Sequence, residues 1–146
     1  MDIKTAIKKT NDIFVYEGDK SYYLLPETWR VVGRDGQGDC QDYSLTVIWY
    51  YSDGNWLRWF WNAHFGPFRI WFCLSPRGVG HAVTEVRRGE YKGMFFDNIT
   101  KRLVTREQFD KMGYKLKFPH FAPLTFAKIV IGYTLGSIGK LIRKST

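Results

Sequence analysis

Apolar and polar positions along this chain fall into two textures. In the first third they recur at helical spacing. Ile3, Ala6 and Ile7 outline a brief amphipathic helix, and Leu24-Leu25-Pro26-Glu27-Thr28-Trp29 suits a loop followed by one helical turn with proline at its start. The glycine-rich stretch Gly33-Arg34-Asp35-Gly36-Gln37-Gly38 breaks the pattern. A new element begins directly after it. Asp39 is a good N-cap, Asp42 adds a carboxylate in the first turn, and Leu45, Ile48 and Trp49 share one helical face. Thr46–Tyr51 is rich in strand formers and competes with that helix, and Ser52-Asp53-Gly54-Asn55 ends the element.

From Arg69 the texture changes to short apolar runs separated by turn residues. Arg69–Leu74, His81–Val86 and Gly93–Asp97, divided by Ser75-Pro76-Arg77-Gly78 and Arg87-Arg88-Gly89-Glu90, predict a three-stranded antiparallel meander. Helices before a sheet make an α+β domain. Residues 1–120 form the expected domain and residues 121–146 a C-terminal apolar and basic helix. Within that tail Ile129–Gly139 carries no charge between Lys128 and Lys140. As a helix it would rise roughly 16 Å, about half of a ~30 Å bilayer core. Gly132 and Gly136 have the small-xxx-small spacing of packed membrane helices. The tail is therefore expected to pack on the domain or to contact a membrane.

Composition narrows the function. The 146 residues suffice for one core, and 45% hydrophobic with 18% aromatic residues excludes a disordered chain. A net charge of +8 favours acidic partners, but the basic residues occur in short groups with no nucleic-acid module around them, so nucleic acid is not the expected partner. Two cysteines cannot build a disulfide framework, and no secretory leader precedes the first helix, which leads to the expectation of a cytoplasmic protein. No CxxC, HxxxH or HExxH spacing exists, so no metal or other cofactor is expected from the motifs.

Three residues carry candidate chemistry. If the helix starts at Asp39, the Cys40 thiol lies in its first turn beside unsatisfied N–H groups and the positive end of the dipole, which would lower its pKa and hold an oxyanion. A hairpin symmetric about Gly89 places His81 directly across from Asp97, where the carboxylate could accept Nδ1–H and leave Nε2 free to deprotonate the thiol. Gln37 and Trp29 are candidates for the second oxyanion donor. Cys73, inside an apolar strand, is the competing nucleophile, and burial would make it inert. His64 and His120 have no acidic neighbour in sequence and are expected in core or surface roles.

Gly38-Asp39-Cys40-Gln41-Asp42-Tyr43, Gly80-His81-Ala82-Val83 and Phe96-Asp97-Asn98, in that order, resemble the bacterial transglutaminase-like cysteine proteinases of the papain-like/transglutaminase superfamily. The resemblance spans roughly Tyr23 to Phe109, including Leu25–Trp29 and Thr100–Leu103. It implies a papain-like core with the nucleophile opening a helix against a β-meander, a Cys40–His81–Asp97 triad, and amide cleavage of a protein or peptide through a thioester. Some members bind calcium through acidic residues flanking the cysteine. Asp39 and Asp42 are present here, but Gln41 stands where a glutamate is usual. The size, charge and tail resemble small phage-encoded members, which adds virion or membrane association to the expected locations. The same triad would also serve acyl transfer to an amine. The rival from another class is a non-catalytic module that engages a membrane or host protein through its basic, aromatic surface.

Overall fold

Asp2 starts the first helix, α1 (Ile3–Ile13), by accepting the N–H groups of Lys4 and Thr5 on its side chain. Ile3, Ala6, Ile7 and Thr10 form the buried face, as their spacing predicts. The structure is a computed structural model that describes residues 1–16, 31–32 and 36–120, together with Phe126, Ala127, Val130, Ile131 and Thr134. The helical turn expected around 24–29 lies outside those residues, as does most of the tail at 121–146. The described tail residues are helical, and Thr134 Oγ1 donates to Val130 O at 2.8 Å.

After α1 the chain enters β1 (Val15–Tyr16), which pairs in parallel with β2 (Gln37–Gly38). Two glycines make that approach possible. Gly36 has φ +69°, and a Cβ there would lie 1.8 Å from the Ile13 carbonyl oxygen. A Cβ on Gly38 would lie 2.7 Å from Asp42 Cβ and 2.8 Å from Val32 Cγ1. The backbone therefore passes close under the next helix only because no side chain intervenes.

That helix, α2 (Cys40–Tyr51), settles the competition between helical spacing and strand propensity in favour of the helix. Tyr43, Leu45, Val47 and Ile48 are fully buried, so burial on several faces overrides the β-branched content. A second helix, α3 (Trp56–His64), follows the Ser52–Asn55 turn and was not anticipated; Asn55 caps it by accepting from Arg58 N–H. It anchors inward through Trp59, whose indole donates to Leu45 O at 3.0 Å.

The meander becomes four strands: β3 (Phe68–Leu74), β4 (Gly80–Val86), β5 (Phe95–Phe96) and β6 (Lys115–Pro119), in the antiparallel order β5-β4-β3-β6. The third expected strand shrinks from 93–97 to two residues, because 90–93 is spent on a turn ending at Gly93, φ +84°. β6 was not anticipated; it follows a short helix, α4 (Arg106–Lys111), and pairs with β3. One side of the sheet, with Phe68, Ile70, Ala82, Val86 and Phe96, packs on α1, α2 and α3. Cys73, Val83 and Phe95 pack with Val104, Phe109 of α4 and Tyr114 in a second, smaller cluster. The domain is thus α+β, with the start of α2 brought to the start of β4.

Candidate active site

Cys40 is the first residue of α2, and Asp39 and Asp42 close a capping box over it. Asp39 Oδ1 accepts the N–H groups of Gln41 at 3.0 Å and Asp42 at 3.2 Å, while Asp42 Oδ2 accepts from Asp39 N–H at 3.4 Å. The donors and acceptors around Gln41 assign its amide nitrogen to the Asp39 side, 2.7 Å from both carboxylate oxygens. The same amide atom is 3.4 Å from Cys40 Sγ.

The thiol is 8% exposed and accepts Ala82 N–H at 3.3 Å. That bond ties the start of α2 to β4 one residue after His81. Burial, and then the Asp39 carboxylate, push the Cys40 thiol well above its ordinary value, against the opposing pull of the Ala82, Cys40 and Gln41 N–H groups. This corrects the expectation of a thiol acidified by the helix terminus. The Gln41 and Asp42 N–H groups are shared with the Asp39 cap, which also brings a negative charge beside the thiol.

His81 and Asp97 do meet: Nε2 and Oδ2 are 2.7 Å apart, with both side chains buried. Two details differ from the sequence-based expectation. Strand pairing runs Thr84↔Phe96 and Glu85↔Phe95, so the hairpin is centred one residue later than Gly89. Carried one residue further it sets Asp97 across from Val83, and His81 reaches it on the diagonal two residues away. The imidazole also meets the carboxylate through Nε2, which leaves Nδ1 rather than Nε2 as the nitrogen not bound to Asp97. No hydrogen bond joins Cys40 Sγ to His81 directly.

Asp97 is held by more than histidine. Its Oδ1 accepts Thr100 N–H at 2.7 Å and Thr100 Oγ1–H at 2.6 Å, and its Oδ2 accepts Tyr114 Oη–H at 2.7 Å. Burial alone would raise this carboxyl, but the bonds from His81 and Thr100 and the histidine charge hold it below the ordinary 3.8. Burial and the Asp97 charge push the Tyr114 hydroxyl up, which keeps it a donor. Thr100 was legible as the turn partner three residues after an aspartate. Nothing in the local sequence marks Tyr114, which arrives from β6 side of the fold. Asn11 of α1 completes the scaffold, donating to Lys101 O at 2.8 Å and accepting Tyr43 Oη–H at 2.7 Å.

The remaining candidates fall as follows. Gln37 is a half-buried residue of β2, three positions before the cysteine. Trp29 lies outside the described residues. Cys73 pairs with His81 across β3 and β4 but is fully buried, and burial with the Asp97 charge pushes its thiol up to about 12. His64 stacks edge-on against Phe60 and burial lowers its pKa, while His120 N–H donates to Ile70 O at the end of β6. Calcium takes six to eight oxygen ligands, and Asp39 and Asp42 offer two carboxylates beside an amide. Their oxygens accept backbone N–H groups, the third position is an amide, and no cluster of three or more metal-binding residues occurs among the described residues.

No family model and no curated protein matches this chain. Among solved structures, Legionella pneumophila LapG superimposes with a TM-score of 0.54 at 17% identity, over 83% of this chain and 66% of its own length. LapG is a cysteine protease of the transglutaminase-like fold, and this chain shares that fold.

Proposed function

We propose that the protein is a cysteine peptidase or amidase in which Cys40 is the nucleophile, His81 the general base and then acid, and Asp97 the residue that orients it. The observation that carries this reading is the buried 2.7 Å His81–Asp97 pair beside a cysteine that opens a helix, linked to it by the Ala82 N–H···Sγ contact. A carboxylate on Nε2 fixes the tautomer with the lone pair on Nδ1 and stabilises the imidazolium that forms.

The reaction begins with a neutral thiol. As Sγ attacks the substrate carbonyl carbon, its proton passes to His81 Nδ1 and a tetrahedral oxyanion forms. Cys40 N–H, at the first position of α2, is the first donor to that oxygen. The Gln37 side chain and the Trp29 indole are the two candidates for the second donor. Collapse breaks the C–N bond, His81 returns the proton to the leaving amine, and the acyl group remains on sulfur as a thioester. Water, deprotonated by His81, then releases the acid and restores the thiol. The buried thiol implies that proton transfer accompanies attack, with no standing thiolate.

Exposure of the wild-type protein, Cys40→Ala and His81→Ala to a proteome-derived peptide library, with new termini read by mass spectrometry, tests the proposal. Cleavage products confined to the wild type are expected, together with a Cys40 adduct from a peptidyl chloromethyl ketone. Identical termini from wild type and Cys40→Ala, with no adduct, would sink it.

A further inference from the structure

The solvent side of α3 is unusual. Trp56 is 65% exposed, Leu57 62% and Trp61 59%, and Leu57, Trp61 and Phe65 repeat every fourth residue as one stripe. The opposite side of the helix is ordinary core, with Trp59 and Ala63 each 6% exposed. Trp61 and Phe65 lie 5.4 Å apart, ring centre to ring centre, which makes the stripe a continuous aromatic surface. A groove of about 720 Å³ runs beside it, lined by Tyr51, Leu57, Arg58, Phe60 and Trp61 among others.

The surface continues into the tail. Phe126 packs edge-on against Phe60 of α3 at 5.1 Å, and Phe126, Val130 and Ile131 are each 47% exposed on a helical spacing. The sequence around this extension is strongly one-signed: from Lys111 to Thr146 there are seven Lys and Arg and not one Asp or Glu. Exposed tryptophans, aliphatic neighbours and a basic stretch of chain together match one kind of partner. Indoles settle at the boundary between headgroups and acyl chains, and basic residues near that boundary are attracted to anionic lipid. No helix among the described residues is long and apolar enough to cross a bilayer.

We propose that the Leu57–Trp61–Phe65 stripe of α3, with Trp56 exposed at the start of the helix and with Phe126, Val130 and Ile131 alongside, docks on the surface of an anionic membrane. The indoles of Trp56 and Trp61 enter the interface, and the basic tail supplies long-range attraction. A protein interface would not require the one-signed charge, and that distinction makes the alternative testable. This proposal does not depend on catalysis by Cys40.

The test uses the full chain with vesicles of phosphatidylcholine alone or with 30% phosphatidylglycerol, at roughly 0.1 and 0.5 M NaCl, where screening lengths differ about twofold. The wild type should sediment with the anionic vesicles, release at high salt, shift its tryptophan emission to the blue, and be quenched by brominated acyl chains. Trp56→Ser/Trp61→Ser should bind at least tenfold more weakly and lose most of the quenching, with an unchanged melting temperature because both residues are exposed. Equal binding to neutral vesicles, wild-type binding by the double variant, or no binding at all would each overturn the proposal. Self-association that the double substitution abolishes, without vesicle binding, would reassign the face to a protein contact.

Discussion

Asp39→Asn separates two effects at the thiol that are usually entangled. Both capping bonds converge on the single oxygen Oδ1, so asparagine can accept them unchanged, and it is as good an N-cap as aspartate. The charge is removed, and with it the pull that holds the Gln41 NH2 group against the Asp39 oxygens. Gln41 can turn its carbonyl oxygen to meet the new NH2 group. The Gln41 amide atom that contacts both the Asp39 oxygens and Cys40 Sγ bounds the carboxylate–sulfur separation at about 6 Å. At an effective dielectric constant of about 20, a unit charge at that distance disfavours the thiolate by about 3 kcal/mol, or about 2 pH units. The assay is alkylation of Cys40 by iodoacetamide against pH, read by mass spectrometry of its peptide, with buried Cys73 as internal control. Asp39→Asn should lower the titration midpoint by about 2 units and speed alkylation near neutrality roughly ten- to a hundredfold. Its melting temperature should move by only a few degrees. An unchanged or raised midpoint would refute the claim that Asp39 holds the thiol neutral. A wild-type thiol that titrates below the free value of about 8.5 would refute the burial argument as well.

Four further outcomes are expected. Tyr114→Phe removes the hydroxyl that donates to Asp97 Oδ2 and should cost about 1–3 kcal/mol in urea unfolding; no loss would mean that bond is idle. Gly36→Ala meets both a positive φ and the Ile13 carbonyl, and should destabilise by ~2 kcal/mol or more, read as the unfolding midpoint; a neutral effect would contradict the β1–β2 packing. Cys73, pushed up to about 12 from 9.0, keeps its proton in the folded state where the unfolded chain has lost it. Its contribution is therefore full below about pH 9 and falls by about 1.4 kcal/mol per pH unit as pH rises toward 12; Cys73→Ala should flatten that alkaline slope in urea titrations at several pH values. Calcium and EDTA should give the same melting temperature, and a calcium-dependent rise would show that Asp39 and Asp42 do form a cation site.

The parts of the site that sequence revealed were those set by local rules. Asp39 and Asp42 announced the start of α2 because a capping box is a four-residue matter, and Cys40 inherited its place from them. His81 and Asp97 were found because a hairpin fixes which residues can meet, and the one-residue error in its centre was absorbed by the reach of the imidazole. Long-range packing was not legible. Tyr114 and Ala82 N–H touch Asp97 and Cys40 across 17 and 42 residues of chain. Helix α3 was missed because four of its nine residues are Trp or Phe and its apolar positions occur on both sides. A pattern rule expects one apolar face, and here a second one is turned to solvent.

The error about the thiol pKa has a wider cause. Reading a helix N-terminus as a positive end counts the N–H groups but not what already occupies them. Here Asp39 takes two and contributes a full negative charge, so the cap that positions the cysteine also opposes its ionisation. Gln41 moderates the conflict: its NH2 group lies against both Asp39 oxygens and within 3.4 Å of sulfur, placing a donor between the two centres of negative charge. A glutamate at position 41 would set a third carboxylate beside Asp39 and Asp42, and such a cluster would need a cation for balance. With glutamine there is an amide donor at that point instead, so on the proposed reading the ionisation of Cys40 is set by this network of Asp39, Gln41 and burial.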